Sequence, residues 1–110
     1  MKRMRAWQKR TIGPWVGREW AVYIVNNEND TELIDKNSLG ALDQDAGSIA
    51  VRLRDRDGML LTLIHELIHP GAPRLYDTAA RPEVQNLAVV IKSGLEAFGV
   101  DLSPMLRGYK

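Results

Sequence analysis

The chain has 110 residues, 45% of them hydrophobic and 26% charged, with a formal net charge of +1. These values predict one globular domain with a small core, and the net charge by itself indicates no class of partner. The absence of cysteine excludes disulfides, thiolate metal sites and cysteine nucleophiles.

The chain shows no targeting or membrane-spanning pattern. No stretch approaches the roughly 20 apolar residues that span a bilayer. The basic start leads into no apolar core of a secretory signal. We therefore expect a cytoplasmic protein without a membrane partner.

Residues 1–19 are predicted to be a basic arm that precedes a single domain at residues 20–110. This segment carries six Lys or Arg side chains and one carboxylate, Glu19. Tryptophans lie among these cations, which suggests a nucleic-acid contact through phosphates and base stacking. Because no nucleic-acid-binding motif is present, we favour a solvated arm whose tryptophans fold back onto the domain.

Segments rich in β-formers predict a small, mostly antiparallel sheet of three or four strands. The polar segment between Asp43 and Gly47 joins two of them into a hairpin. In the second strand of that hairpin, Arg52 and Arg54 alternate with apolar residues, which predicts a basic side facing solvent. The candidate strands are residues 20–25, 39–42 and 48–54, with residues 31–34 either a fourth strand or a link.

Two helices are predicted after the sheet, which makes the fold class α+β. The first spans residues 59–69, with Asp57 as its N-cap and Pro70 as its stop, and its apolar character predicts burial. The second begins near Arg81 and ends at Gly99. Its apolar residues recur at helical spacing and are predicted to face the core: Val84, Leu87, Ala88, Ile91, Leu95 and Phe98.

The first helix carries the sequence H-E-x-x-H at His65, Glu66 and His69. Residues four apart lie on one face of a helix, so both imidazoles can point at one spot. Two imidazoles and a carboxylate on a buried helix are costly unless a partner satisfies them. A zinc ion satisfies them, and the spacing therefore predicts a zinc half-site with Glu66 beside it.

A catalytic zinc site takes three protein ligands and keeps a fourth position open. Without cysteine, and with both histidines in use, the third ligand must be Asp or Glu. Glu83 is the first choice, because it lies one turn before Leu87 at the edge of the predicted buried face. The alternatives are Asp77, on the link between the helices, and Asp101, after the second helix.

Such a site predicts hydrolysis of a protein or peptide substrate. Zinc would lower the pKa of a bound water toward about 7 and polarise the substrate carbonyl. Glu66 would take the proton from that water, and Tyr76 or Arg74 would assist at the oxyanion. If residues 48–54 form an edge strand, an extended peptide would pair with it by strand addition.

A strand hairpin, an apolar helix with H-E-x-x-H and a following helix that opens with Glu resemble the compact zincin metallopeptidases of the gluzincin kind. The chain is similar to small zincin-like zinc metallopeptidases of phages and prophages, and more distantly to the SprT-like and ImmA-like minimal zincins. The likeness covers residues 39–102. It implies a minimal zincin-like fold in a bacterial or phage-infected cell, with zinc ligands His65, His69 and Glu83 and the base Glu66.

The chain departs from the family pattern at two places. Pro70 ends the motif helix earlier than in many zincins, and the metzincin extension with its third histidine is absent. The alternative hypothesis is a catalytically silent zincin-fold protein that binds metal and serves in binding, assembly or regulation. In that case residues 1–19 would be its candidate contact with nucleic acid.

Overall fold

The computed structural model describes residues 7–25, 33–35, 37–71 and 81–106, which form a four-stranded mixed sheet and two α-helices. This confirms the predicted α+β class. Neither helix in these ranges has the length and apolar character needed to cross a bilayer. The strands are β1 (Trp7–Trp15), β2 (Arg18–Val25), β3 (Gly40–Asp43) and β4 (Ser48–Arg52), and the helices are α1 (Arg56–Ile68) and α2 (Arg81–Ala97). Short 3₁₀ turns follow at His69–Gly71 and Ser103–Leu106.

The strand order across the sheet is β1-β2-β4-β3. β1 and β2 form one antiparallel hairpin, β3 and β4 form the predicted second hairpin, and β4 runs parallel to β2. Among the described strands, β4 therefore lies inside the sheet and β3 forms an edge. The hypothesis that residues 48–54 are an edge strand that pairs with substrate is wrong.

Arg52 on β4 is buried, although the alternating pattern predicts that it faces solvent. Its guanidinium donates hydrogen bonds to three backbone carbonyls, at 3.0 Å to Ser38, 3.2 Å to Asp35 and 3.4 Å to Ile34. These bonds compensate the cost of burying the guanidinium. They also hold the segment that leads into β3.

Residues 7–19, predicted to belong to an arm, instead form β1 and the start of β2. Trp20 is buried, and its indole N–H donates to the carbonyl of Trp15 at 2.8 Å. The exposed Trp15 donates in turn to the carbonyl of Leu67, at 2.9 Å. The first hairpin is thus part of the sheet and is tied to the last turn of α1.

α1 packs across one face of the sheet, and its predicted burial is confirmed. Apolar side chains from both layers fill the space between them: Trp20, Val22, Ile24, Ile49, Val51, Met59 and Leu63. A second buried cluster joins α1 to α2 and the carboxy-terminal turn: Leu60, Ile64, Ala88 and Leu102. The hydrophobic driving force therefore fixes α1 as the central element of the described fold.

α1 begins at Arg56, earlier than predicted, and Asp55 rather than Asp57 is its N-cap. The Asp55 Oδ2 accepts a hydrogen bond from the backbone N–H of Gly58 at 2.9 Å, which satisfies one of the open donors of the first turn. Asp57 lies in that first turn, where the helix dipole favours a carboxylate.

α2 presents a different face to α1 than its apolar pattern predicts. Val84 and Ala88 are buried, but the other members of the predicted stripe are exposed: Leu87, Ile91, Leu95 and Phe98. Gln85 and Lys92 instead point toward α1, where they contact His65 and Asp57. At about 100° per residue, the inward face is rotated by about 60° from the prediction.

Candidate metal centre

His65 and His69 lie together at the end of α1, with ring centroids 5.3 Å apart and planes at 68°. His69 follows the last α-helical residue, yet it keeps helical backbone angles of −56° and −46°, and its N–H bonds to the Glu66 carbonyl. Pro70 therefore does not turn His69 away from the face on which His65 lies. The structure brings the two imidazoles together as their spacing predicts.

A cavity of about 500 Å³ opens beside the two imidazoles. Its walls come from one face of α1, from the segment that enters β3 and from the first turn of α2. The residues that line it include Gly40, Arg54, His65, Glu66, His69 and Arg81. Three elements that are distant in sequence thus meet around the motif.

Glu66 lines this cavity and is only 8% exposed. Burial raises the pKa of its carboxyl from 4.5 to about 7, and the nearby Arg81 guanidinium opposes that rise in part. A carboxyl that titrates near neutral pH is well matched to general-base chemistry. The environment of Glu66 is therefore consistent with its predicted role.

Gly40, the first residue of β3, allows the sheet edge to approach α1 beside Glu66. A Cβ at this position would lie 2.6 Å from Cγ2 of Thr62 and 3.0 Å from Oε2 of Glu66. A side chain there would displace both groups. The Glu66 carboxylate therefore lies next to the start of the edge strand, a relation that the sequence alone does not signal.

Gln85 of α2 fixes the orientation of the His65 ring. Its side-chain oxygen, Oε1, lies 2.8 Å from Nδ1 of His65. With the oxygen as acceptor, Nδ1 carries the proton and Nε2 keeps its lone pair for a metal ion. The role of Gln85 is not predictable from the sequence pattern, because it depends on the rotation of α2.

His69 is favoured in its neutral form. Burial lowers its pKa, and the neighbouring His65 and the Arg81 guanidinium lower it further. Neutral imidazole is the form that binds metal ions. Arg81, whose role was also not predicted, is a positive charge that acts on both His69 and Glu66.

Glu83, the first choice for the third ligand, is exposed on α2. It lies about 200° around the helix from Gln85, which faces His65. The structure therefore does not bring Glu83 together with the two histidines. The physical reason is the rotation of α2 relative to its apolar stripe.

The other predicted participants lie elsewhere. Asp101 accepts a hydrogen bond from the Ser103 N–H at 3.0 Å and lies 3.8 Å from Arg56, at the opposite end of α1 from the motif. Asp77, Tyr76 and Arg74 fall outside the described residues. Within the described ranges, no three His, Asp or Glu side chains form a group that could hold a metal ion.

Comparison of the chain with known protein families, with curated proteins and with solved structures found no match. The resemblance to zincins therefore stays a prediction that depends on the motif and on the order of the elements.

Two arginines of the basic amino-terminal segment make hydrogen bonds within the protein. Arg10 donates to the carbonyl of Pro104. Arg18 donates to the carbonyl of Gln44 at 2.7 Å, and its guanidinium lies over the Trp20 ring, 5.1 Å from the centroid. Both arginines are thus engaged with the protein itself, and nucleic-acid binding by this segment stays an untested hypothesis.

Proposed function

We propose that this protein is a zinc-dependent metallopeptidase of zincin-like type. One observation carries the proposal: His65, His69 and the buried Glu66 line a single cavity beside an edge strand. A paired imidazole site, a carboxyl of near-neutral pKa and an open strand edge are features that support hydrolysis of an extended peptide.

His65 and His69 are the described residues whose chemistry fits zinc. Gln85 leaves Nε2 of His65 available, and burial favours neutral His69. For the third ligand we propose Asp77, which lies in sequence between His69 and α2 and was the second candidate from sequence. When bound, zinc would supply a water of lowered pKa and polarisation of the substrate carbonyl.

Glu66 acts as the general base in this proposal. Its carboxylate removes a proton from the attacking water and then protonates the leaving amine. Arg81 is the described cation near this carboxylate, and it would stabilise negative charge that develops on the substrate oxygen. Tyr76 stays a predicted contributor to the same stabilisation.

The proposed substrate path follows β3 rather than β4. β3 pairs with β4 on one side and is an edge among the described strands. An extended peptide that adds to its other side would pass Gly40 and reach Glu66, because these two residues are adjacent. Backbone pairing would then hold the peptide while the carboxylate acts on one bond.

The variant Glu66→Gln tests this proposal. It keeps the shape of the side chain but removes the base, so peptide cleavage should fall by about 10²- to 10⁴-fold while zinc content is unchanged. A quenched fluorescent peptide library provides the activity assay, and elemental analysis provides the zinc content. Glu19→Gln, which neutralises an exposed carboxylate, is the matched control. Undiminished cleavage by Glu66→Gln would refute the mechanism.

A second candidate function is a catalytically silent metal-binding module that docks to another protein. The exposed apolar side of α2 favours it, together with Phe98, which directly follows the helix and is 91% exposed. Exposed apolar patches of this kind are typical of interaction surfaces. This candidate predicts a zinc-binding protein that cleaves no peptide in the library, with or without Glu66.

A further inference from the structure

Two arginines stand at opposite ends of the cavity. Arg81 is the first residue of α2 and lies near His69 and Glu66. Arg54 precedes α1 and lies against Gly58 in its first turn. At 1.5 Å per residue, Gly58 is about 10 Å along the helix axis from His65. The cavity therefore has one positive charge beside the motif and another some distance from it.

The absence of a side chain at Gly58 leaves room for Arg54. A Cβ at position 58 would collide with Nε and Cζ of the Arg54 guanidinium. The guanidinium therefore lies beside the helix, where Arg54 lines the cavity. Among the described residues, its ion pair is with Asp55, at 3.7 Å, and this pair involves Nε alone and is exposed to solvent. Such pairs contribute little, and the terminal N–H groups remain available to a ligand.

The charge of the cavity selects an anionic ligand. Among the described residues that line it, Arg54 and Arg81 are the permanent cations and Glu66 is the one carboxyl group. The guanidinium group matches the geometry of a carboxylate and binds it with two parallel hydrogen bonds. A substrate with Asp or Glu side chains therefore complements the two guanidinium groups of this wall better than a basic substrate does.

We infer that the cavity selects peptides with an acidic side chain near the bond held at His65 and His69, and that Arg54 binds that carboxylate. This inference rests on the proposed function and names its substrate class. An extended peptide advances about 3.3 Å per residue, so the 10 Å interval places the acidic side chain about three residues from the scissile bond. Arg54 is thus a specificity residue rather than a catalytic one.

A binding experiment tests the inference without relying on cleavage. The probe is a fluorescein-labelled, alanine-based decapeptide with Asp at every third position, and the matched probe has Asn at the same positions. Affinities are measured by fluorescence anisotropy on the zinc-loaded Glu66→Gln protein, which does not consume the probe. We expect the Asp peptide to bind about tenfold more tightly, as one charge-assisted pair predicts, and the preference to fall as salt is raised.

The variant Arg54→Ala should lose most of this preference, and Arg54→Glu should reverse it. Arg56→Ala is the matched control, because Arg56 pairs with Asp57 and Asp101 away from the cavity and its loss should leave the preference unchanged. Equal affinity for the two probes, no binding of either, or a preference that persists in Arg54→Ala would overturn the inference.

The outcomes also separate this inference from the proposed function. An Arg54-dependent preference in a protein that cleaves no peptide refutes the peptidase and leaves the acidic specificity intact. Cleavage by the wild-type protein without any preference for Asp refutes the acidic specificity alone.

Discussion

Replacing Glu66 by Gln should stabilise the metal-free protein at alkaline pH. Glu66 is buried, and burial raises its pKa from 4.5 to about 7. The native fold thus penalises the charged carboxylate, and Gln keeps the shape without the charge. At about 1.36 kcal/mol for each pKa unit, the penalty that the variant avoids is about 3 kcal/mol.

The stabilisation should depend on pH with a definite sign. Below pH 4.5 the carboxyl is protonated in both the folded and the unfolded chain, so the two proteins should differ little. Between pH 4.5 and about 7 the unfolded chain releases the proton and the folded chain retains it. The free energy of unfolding of the wild-type protein therefore declines through this window relative to the variant. Above about pH 7 the difference in the free energy of unfolding between the two proteins reaches its full value.

Urea denaturation in EDTA, at about pH 4 and about pH 8, measures the effect as a difference in the free energy of unfolding. Glu19→Gln is the control, since its exposed carboxylate should yield a small difference at both values. A Glu66→Gln protein that gains no stability over the wild type between the two pH values would contradict the proposed effect of burial on Glu66. A variant that is less stable than the wild type at the higher pH would contradict it equally.

Two further predictions concern residues that sequence analysis missed or misplaced. Gln85→Leu removes the hydrogen-bond acceptor for Nδ1 of His65 and should weaken zinc binding about 10- to 100-fold, as measured by competition with a chelating dye. Glu83→Gln should change zinc binding little. The opposite ranking of the two variants would show that α2 is rotated differently. Asp55→Ala removes the N-cap of α1 and should lower the free energy of unfolding, measured by urea denaturation, by about 1 kcal/mol. Asp57→Ala should lower it less. Equal losses in the two variants would contradict the assignment of Asp55 as the cap.

The placement of the motif follows from local features of the sequence. The apolar run from Met59 to Ile64 buries the helix, and the four-residue spacing of His65 and His69 brings the imidazoles to one face. The second hairpin is equally local, because polar turn residues separate two short apolar segments. α2 ends at Ala97, and the predicted stop residue Gly99 follows two residues later with a positive φ of 85°.

The arrangement of the strands depends on contacts that the sequence pattern does not display. The parallel pairing of β2 with β4 places β4 inside the sheet, and it joins segments that are separated by the whole of β3. Arg52 looks like a solvent-facing residue by alternation, yet backbone carbonyls of the preceding link satisfy it in the interior. Periodicity records polarity and cannot identify such partners.

The rotation of α2 was unpredictable for a related reason. In a domain this small, a helix need not bury its whole apolar stripe. α2 contacts α1 through Gln85, Ala88 and Lys92. A polar bond between Gln85 and His65 takes part in this contact, while Leu87 and Phe98 remain exposed. The choice of Glu83 as a ligand depended on the apolar stripe, and the structure places that carboxylate on the other side of the helix.

Zinc titration by calorimetry tests most directly whether His65 and His69 bind zinc. The titration compares the wild-type protein with His65→Ala, His69→Ala and the control Asn86→Ala, which replaces an exposed side chain on α2. The account predicts one zinc ion per wild-type and control chain. Each histidine variant should lose more zinc affinity than the loss of about 10- to 100-fold that follows when a residue that hydrogen-bonds to a ligand is replaced. A wild-type protein that binds no zinc, or histidine variants that bind it as tightly as the wild type, would contradict the metal site and the activity proposed from it.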